Sequence, residues 1–423
     1  MTLTDTRFGR RMARRTGALE LMNDLGEAAA RAGSLHMLGG GNPARIPAVE
    51  AIYRRRLLEI ASDQAQFGRF AAAYSAPAGD LAFRAAVAEL LTTEFGWSLS
   101  ERNVGLTAGS QVAFFFLFNY LAGEREGARP SRILLPLAPE YIGYGDLGLE
   151  DGSLISRPAL IEEAGDGFFE YHVDFEGLAA TEGIAALCLS RPTNPSGNVL
   201  PIAELRQLES AARARGVPLI LDAAYGLPFP GIQFSSRDVL WTDNVILCLS
   251  LSKLGLPATR TGIVVAREEI IEALTAFNAT ASLAPASTGP VIVEPLVRSG
   301  ELLALCEAHI RPHYESRCRQ AVEWLRELCA GLPLRIHRPH GAFFLWLWFP
   351  GLPIGSDELY RRLKARGVLV LSGHHFFPGL DRPWPHSREC LRVSYAQPAE
   401  QVRAGLEAIA EEVRRAFEES PTP

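Results

Sequence analysis

Short apolar runs alternate with stretches of helical periodicity from about residue 100 to residue 267. NVGLT (103–107), RILLP (132–136), IAALCLS (184–190), VPLILD (217–222), NVILCLS (244–250) and TGIVVA (261–266) have the length and apolar content of strands. Between two of them, IAELRQLESAARARG sets Ile202, Leu205, Leu208 and Ala212 at helical spacing and ends at Gly216, a common helix stop. This alternation predicts an α/β fold with a mostly parallel sheet flanked by helices.

Beyond about residue 295 the pattern changes. A long helical stretch, VEPLVRSGELLALCEAHIRPHYESRCRQAVEWLRELCAG, comes first, and GAFFLWLWF, VLVLSG and CLRVSYA then read as strands of a second sheet. SDELYRRLKARG stops at Gly367 just before one of these strands, and AEQVRAGLEAIAEEVRRAFEES closes the chain as an amphipathic helix. The expected organisation is an N-terminal arm (1–45) joining the small domain, a large domain (46–294) and a smaller α+β C-terminal domain (295–423). With no repeat and no low-complexity linker, the domains are expected to pack closely and leave a cleft between them.

Composition excludes several classes. Hydrophobic residues make up 48% and charged residues 21% of the chain, the balance of an ordinary globular enzyme. No apolar run reaches the roughly 18 residues that a membrane span needs. A net charge of -6 and a pI near 5.9 argue against a nucleic-acid partner. The six cysteines (188, 248, 306, 318, 329 and 390) are scattered without metal-ligand spacing, so reduced thiols, no metal and a cytoplasmic setting are expected. The basic segment RFGRRMARRTG is poor in Ser and no secretory-type apolar core follows it, so it is read as part of the mature protein.

In an open parallel sheet, ligands gather beyond the C-terminal strand ends. After the first strand, Gly109 permits a tight turn, Ser110 supplies a hydroxyl, and a helix N-terminus faces back, an arrangement suited to phosphate. Asp222 ends another strand with Tyr225 three residues on, and LCLSLSKLGLPATRTG places Lys253 after a buried run and before Arg260. Singly each has a bland alternative: a lone lysine is usually a solvated charge, and a lone acid is as readily a cap or an ion-pair partner. Together, an anion-binding turn, a carboxylate, a phenol, a lysine and an arginine beyond strand ends describe a pyridoxal 5'-phosphate site.

At these residues the chain resembles the class I and II pyridoxal-phosphate aminotransferases of fold type I. The resemblance runs from LGGGNPA to CLRVSYA and rests on Gly41-Asn42-Pro43, YSAPAGDLAFR, RPTNPSGNV, Asp222 with Tyr225, Ser250 to Lys253, Arg260 and Arg392. It implies that Lys253 holds the cofactor and moves the substrate proton, that Asp222 faces the pyridine nitrogen, and that Tyr225 and Asn194 face the phenolic oxygen. It assigns Tyr141 to the ring face and Gly109, Ser110, Gln111, Ser250 and Arg260 to the phosphate, with Ser252 beside them. Tyr74 is expected to reach the phosphate of a neighbouring subunit in a homodimer, and Arg392, with Gly41 and Asn194, to grip the substrate carboxylate. Arg260 follows Lys253 by seven residues, one fewer than in many relatives, which bears on the loop path and not on the role.

Finer stretches, LAPEYIGYGD, SRPTNPSGNV, YGLPFPGI, SLSKLGLP, GAFFLWLWF, LKARGVL and FFPGLDRPWPH, resemble members of the family that use L-valine and pyruvate. They imply ping-pong transfer giving 3-methyl-2-oxobutanoate and L-alanine, so the expected partners are amino-acid and 2-oxo-acid substrates. The apolar AFFLWLW segment suits an uncharged side chain, and no motif supplies a second arginine for a dicarboxylate. The alternatives are transfer from another aliphatic or aromatic amino acid, a C–S or aminocyclopropanecarboxylate-synthase-like lyase on the same lysine, and a non-enzymatic regulator. The acidic chain, filled by its enzyme-like domains, disfavours the regulator.

Overall fold

The structure, a computed structural model, describes residues 6–14, 19, 23, 26, 35–125 and 128–419. Its strands in chain order are β1 (His36–Met37), β2 (Val104–Thr107), β3 (Gly123–Arg125), β4 (Ala128–Ala138), β5 (Leu154–Pro158), β6 (Leu160–Glu163), β7 (Phe168–His172), β8 (Ile184–Ser190), β9 (Leu219–Asp222), β10 (Val245–Ser250), β11 (Gly262–Val265), β12 (Arg335–His337), β13 (Phe344–Trp348), β14 (Val368–Leu369), β15 (Leu371–Ser372) and β16 (Cys390–Ser394). The six apolar runs of the first region are β2, β4, β8, β9, β10 and β11.

These strands form an eight-stranded sheet in the order β2-β11-β10-β9-β8-β4-β3, with β5 also paired to β4. The core β4, β8, β9 and β10 is parallel, and β11 lies antiparallel between β10 and β2. Two antiparallel steps leave β2 running the same way as β10. The C-terminal ends of β2, β4, β8, β9 and β10 therefore share one edge.

The interiors of the runs are apolar at successive positions because both sheet faces are buried. Successive side chains alternate: Ile220, Ile246 and Cys248 pack with Phe114, Leu117 and Leu274, from helices Ser110–Leu121 and Glu268–Ala281. Leu219, Leu221, Leu247 and Leu249 face the other way, into a core that takes in Leu205 and Leu208 of the crossover helix Ile202–Ala214. This two-sided burial removes several kcal/mol worth of apolar surface per strand from water.

The second sheet runs β15-β16-β13-β12-β7-β6. Sequence periodicity misses its β6–β7 hairpin, which comes from residues 160–172 and joins through a parallel pair, Ile336↔Phe168. VLVLSG, expected as one strand, splits in two. β14 pairs with β1 of the N-terminal arm, and β15 pairs with β16. About half of the arm lies outside the described residues; its described part includes the helix Arg7–Met12. The long helical stretch begins at Thr288 and continues to Leu328 in segments, with a π-turn at Cys306–Ile310. Among the described residues no helix is long and apolar enough to cross a membrane.

Candidate active site

A cavity of about 230 Å³ opens at the shared edge of the strand ends. Ser110 and Gln111 reach it from the turn after β2, Tyr141 from beyond β4, and Asn194 from beyond β8. Asp222 ends β9 and Tyr225 follows it, Ser250 ends β10 with Ser252 and Lys253 in the helical turn Leu251–Leu254 after it, Arg260 comes from the next turn, Arg392 from β16, and Gly41 from the arm. Gly109 begins the turn beside the cavity, whereas Tyr74 stands outside it and is exposed. A larger cavity of about 660 Å³ shares only Lys253 with this one, and its rim residues Arg45 and Glu50 are already paired to each other.

The turn after β2 is built to hold an anion. Gly109 caps helix Ser110–Leu121 with no side-chain acceptor, so the first N–H groups stay available. Its φ of 89° needs glycine, and a Cβ there would collide with the Arg260 guanidinium, which packs over the turn. Arg260 itself sits in the left-handed region at φ 46°. Ser250 Oγ accepts from the Ser252 N–H at 3.1 Å, closing the other side. Gln111 Nε2 donates to the Gly143 carbonyl at 3.1 Å, tying this turn to the one that carries Tyr141.

Asp222 is buried. Its Oδ1 accepts from the Ala224 N–H at 2.9 Å and its Oδ2 from the Tyr144 hydroxyl at 2.8 Å. Burial raises its pKa, opposed by these two hydrogen bonds and the Lys253 charge. Lys253 Nζ donates to the Gly41 carbonyl at 2.8 Å and stands 5.2 Å from the Tyr225 ring centre. Burial first, then the cations Arg392 and Arg260 against the pull of Asp222, brings its pKa down to about 8. An amine so placed is in part neutral at physiological pH and serves as nucleophile or base.

Arg392 is buried with its guanidinium 4.0 Å from the Phe344 ring centre and 5.2 Å from that of Phe376. Its Nη1 donates to Asn194 Oδ1 at 2.7 Å and its Nη2 to the Gly39 carbonyl at 2.6 Å, while Nε has no partner among the described residues. Burial pulls its pKa down to about 10. A buried cation held only by neutral acceptors and ring faces is a ready seat for an incoming carboxylate.

The structure thus gathers every sequence-predicted site residue except Tyr74 at or beside one cavity. Gly41 lines the cavity, and the arm adds a contact the sequence does not suggest: Gly39 gives its carbonyl to Arg392, because the Leu38 carbonyl accepts from the Ser394 N–H at 2.7 Å and so fixes the arm's register against β16. Gly41 itself meets Lys253, and the place where its Cβ would stand is 3.8 Å from Nζ. Sequence reasoning missed Tyr144, Ser190 and the buried Glu140. Extending the strand-end rule past RILLP would have flagged Glu140, while Tyr144 carries no sequence signal linking it to Asp222.

Residues 54–409 match the family model for aminotransferase class I and II. The chain is 45% identical to valine–pyruvate aminotransferase of Escherichia coli over 99% of its length and 100% of that protein. A solved structure of a putative amino-acid aminotransferase from Psychrobacter arcticum is 41% identical, covers 99% of this chain and 100% of its own, and superposes with a TM-score of 0.96. The valine-pyruvate aminotransferase structure from Salmonella typhimurium is 44% identical with a TM-score of 0.88, over 96% of this chain and 100% of that one.

Proposed function

The chain belongs to the class I and II aminotransferases, and from that premise we propose that it transfers the amino group between L-valine and pyruvate on pyridoxal 5'-phosphate. The observation that carries the chemistry is a single cavity holding a part-buried lysine, a buried carboxylate, an uncapped helix N-terminus and an arginine with no acidic partner among the described residues. The substrate pair rests on the 45% identity, over nearly the whole of both chains, to the Escherichia coli valine–pyruvate enzyme.

These residues fit the cofactor. Ser110, Gln111, Ser250 and Arg260 would hold its phosphate at the helix N-terminus, Asp222 its ring nitrogen, Tyr225 and Asn194 its phenolic oxygen, and Tyr141 its ring face. When bound, the cofactor supplies an aldehyde for the amine and an electron sink for the α-carbon. Arg392 binds the substrate carboxylate through the guanidinium hydrogens left free by Asn194 and Gly39. That grip sets the α-carbon near Lys253 Nζ, the group of suitable basicity to take and return the α-proton. Asp222, fixed by Ala224 and Tyr144, keeps a negative charge where a proton must be held. The walls of the cavity, with Phe114 and Ile142 among them, limit the water that reaches the reacting atoms.

The same proposal divides the chain into the arm (1–45), a large domain (46–294) and a small domain (295–423), with the hairpin of residues 160–172 paired onto the small domain's sheet. It sets the protein in the cytoplasm, where its six buried free thiols stay reduced. It also makes the working unit a homodimer in which Tyr74 meets the neighbouring cofactor phosphate. A fully active monomer in sedimentation of the holoprotein would contradict that last point.

Half-reactions followed by cofactor absorbance test the substrate. L-Valine, L-alanine and 2-aminobutyrate are expected to react readily, with spreads of about 10–200-fold for a methylene gained or lost, and initial rates should follow a ping-pong pattern. Aspartate or tyrosine reacting best would refute the valine assignment, and release of pyruvate or ammonia with no amino acceptor present would reveal a lyase. Arg392→Lys keeps the charge and loses the planar fork. It is expected to raise the KM for L-valine by about 10–100-fold, the size of a charge-assisted hydrogen bond. An unchanged KM would remove Arg392 from carboxylate binding.

A further inference from the structure

Glu140 lies two residues beyond β4, is fully buried, and has no part in the chemistry above. Its Oε1 accepts from the Ser190 N–H at 2.7 Å, and its Oε2 meets the Ser190 hydroxyl at 2.5 Å and the Tyr141 N–H at 3.2 Å. None of the charged groups acting on it is a cation. Burying a carboxyl in this way is costly, and its hydrogen bonds recover only part of the loss. Packing alone would be served as well by an apolar side chain.

Glu140's partners give the carboxyl a use. Tyr141 and Ser190 both line the cofactor cavity, and they come from different strands. Ser190 pairs with Asp222 across β8 and β9, and its carbonyl accepts from Thr193 Oγ1 at 2.8 Å, at the start of the turn that carries Asn194. The Glu140 N–H donates to the Phe376 carbonyl at 2.8 Å, and the Phe376 ring lies beside Arg392. One buried side chain therefore touches the frames of the ring-facing tyrosine and the Asn194 turn, while the same residue's backbone N–H reaches the segment beside the carboxylate-binding arginine.

We propose that Glu140 is a positioning residue for amino transfer, whose carboxyl fixes the Ser190 hydroxyl and the Tyr141 backbone at the cofactor cavity. Its consequence rests on the cofactor reading above. The groups facing it are Asp222 on β9, Cys188 on β8, and Tyr144 and Tyr141 in the turn after β4. Burial pushes the Glu140 carboxyl up to about 8, against the pull of its Ser190 and Tyr141 hydrogen bonds, and the Asp222 charge adds to the rise. The Ser190 hydroxyl donates to Oε2, so the carboxyl gathers three donors, this hydroxyl and the Ser190 and Tyr141 N–H groups, on its two oxygens. A glutamine amide keeps the shape but offers one acceptor oxygen, and in either orientation its NH2 faces one of the two backbone N–H donors.

The test compares wild-type, E140Q, E140L and S190A proteins, each reconstituted with pyridoxal 5'-phosphate. The readouts are the cofactor dissociation constant, visible circular dichroism of the bound cofactor, thermal midpoint, and kcat and KM for L-valine. At pH 7 E140Q, which keeps an acceptor for part of the network, should fall between wild type and E140L. E140L should weaken cofactor binding and lower kcat by about tenfold each and change the visible dichroism, because buried donors are left unpaired. Its KM should move by less than about threefold, as the carboxylate clamp is intact. S190A should change the dichroism in the same direction.

An E140L protein that melts earlier but keeps wild-type affinity, dichroism and kcat would overturn the proposal by leaving Glu140 only a structural part. Where E140L does not fold, the other two variants decide. Wild-type affinity and dichroism in S190A, or in E140Q, would each overturn it. Failure of the wild-type protein to gain visible absorbance with the cofactor would instead sink the cofactor reading itself.

Discussion

Lys253→Ala is expected to abolish amino transfer and to remove the visible absorbance that the cofactor gives when bound to a lysine. Nothing else at the cavity can take its place. Among the described residues lining it, Arg260 and Arg392 are the other cations, and a guanidinium does not release its proton at working pH. Lys253 is tuned in the opposite direction, with burial and two neighbouring cations bringing it down to about 8. That setting has a measurable price in the apoprotein. The unfolded lysine titrates near 10.5, so between about pH 8 and that value the unfolded chain holds a proton the folded chain has released. Stability therefore rises with pH across the window, and below it the buried ammonium costs up to about 3 kcal/mol. The Lys253→Met apoprotein should accordingly melt higher than wild type at pH 7, with the gap closing above pH 10.5. Amino transfer retained by Lys253→Ala in single turnover, or identical melting of the two apoproteins at pH 7, would contradict the assignment.

The central sheet was legible because its strands are buried on both faces, so β8, β9 and β10 read as unbroken apolar runs with their ends marked by Ser190, Asp222 and Ser250. The residues just past those ends could then be inspected one by one, and Lys253 stood out through the company of Asp222 and Arg260. The β6–β7 hairpin was not legible. LIEE and FFEYH are short and rich in acids, and they become strands only because β12, more than 160 residues later in the chain, offers an edge to pair with. VLVLSG misled for the opposite reason: its apolar run is continuous, and only the arrival of the arm at β14 divides it. Among three consecutive glycines, Gly39 to Gly41, no pattern tells which carbonyl meets Arg392, since that depends on register against β16. Tyr144 and Asp222 lie 78 residues apart and meet only because β4 and β9 end at the same edge.

Asp222 carries the other large expectation. Asp222→Ala should lower kcat by about 10²–10⁴-fold, the range covered by losing one well-placed charge or proton partner in a water-poor site. Cofactor should still enter, because the helix N-terminus, Arg260 and Lys253 are untouched. The loss should therefore appear in kcat and in the spectrum of the bound cofactor more than in KM. The folded protein keeps this carboxylate against its own stability. Burial raises the pKa of Asp222 above the ordinary 3.8, so the folded state binds its proton more tightly than the unfolded state. Below pH 3.8 both states are protonated and nothing is lost. As pH rises through the raised folded value, the charge is formed where water cannot reach it and stability falls. The Asp222→Asn apoprotein, which keeps an acceptor for the Ala224 N–H, should thus be more thermostable than wild type at pH 7 and lose that advantage at acid pH. Near-wild-type kcat in Asp222→Ala would remove Asp222 from the ring nitrogen, and a less stable Asp222→Asn apoprotein at pH 7 would show that its charge is not a buried liability. A variant that is both more stable and nearly inactive is the signature of a charge placed for chemistry and not for folding.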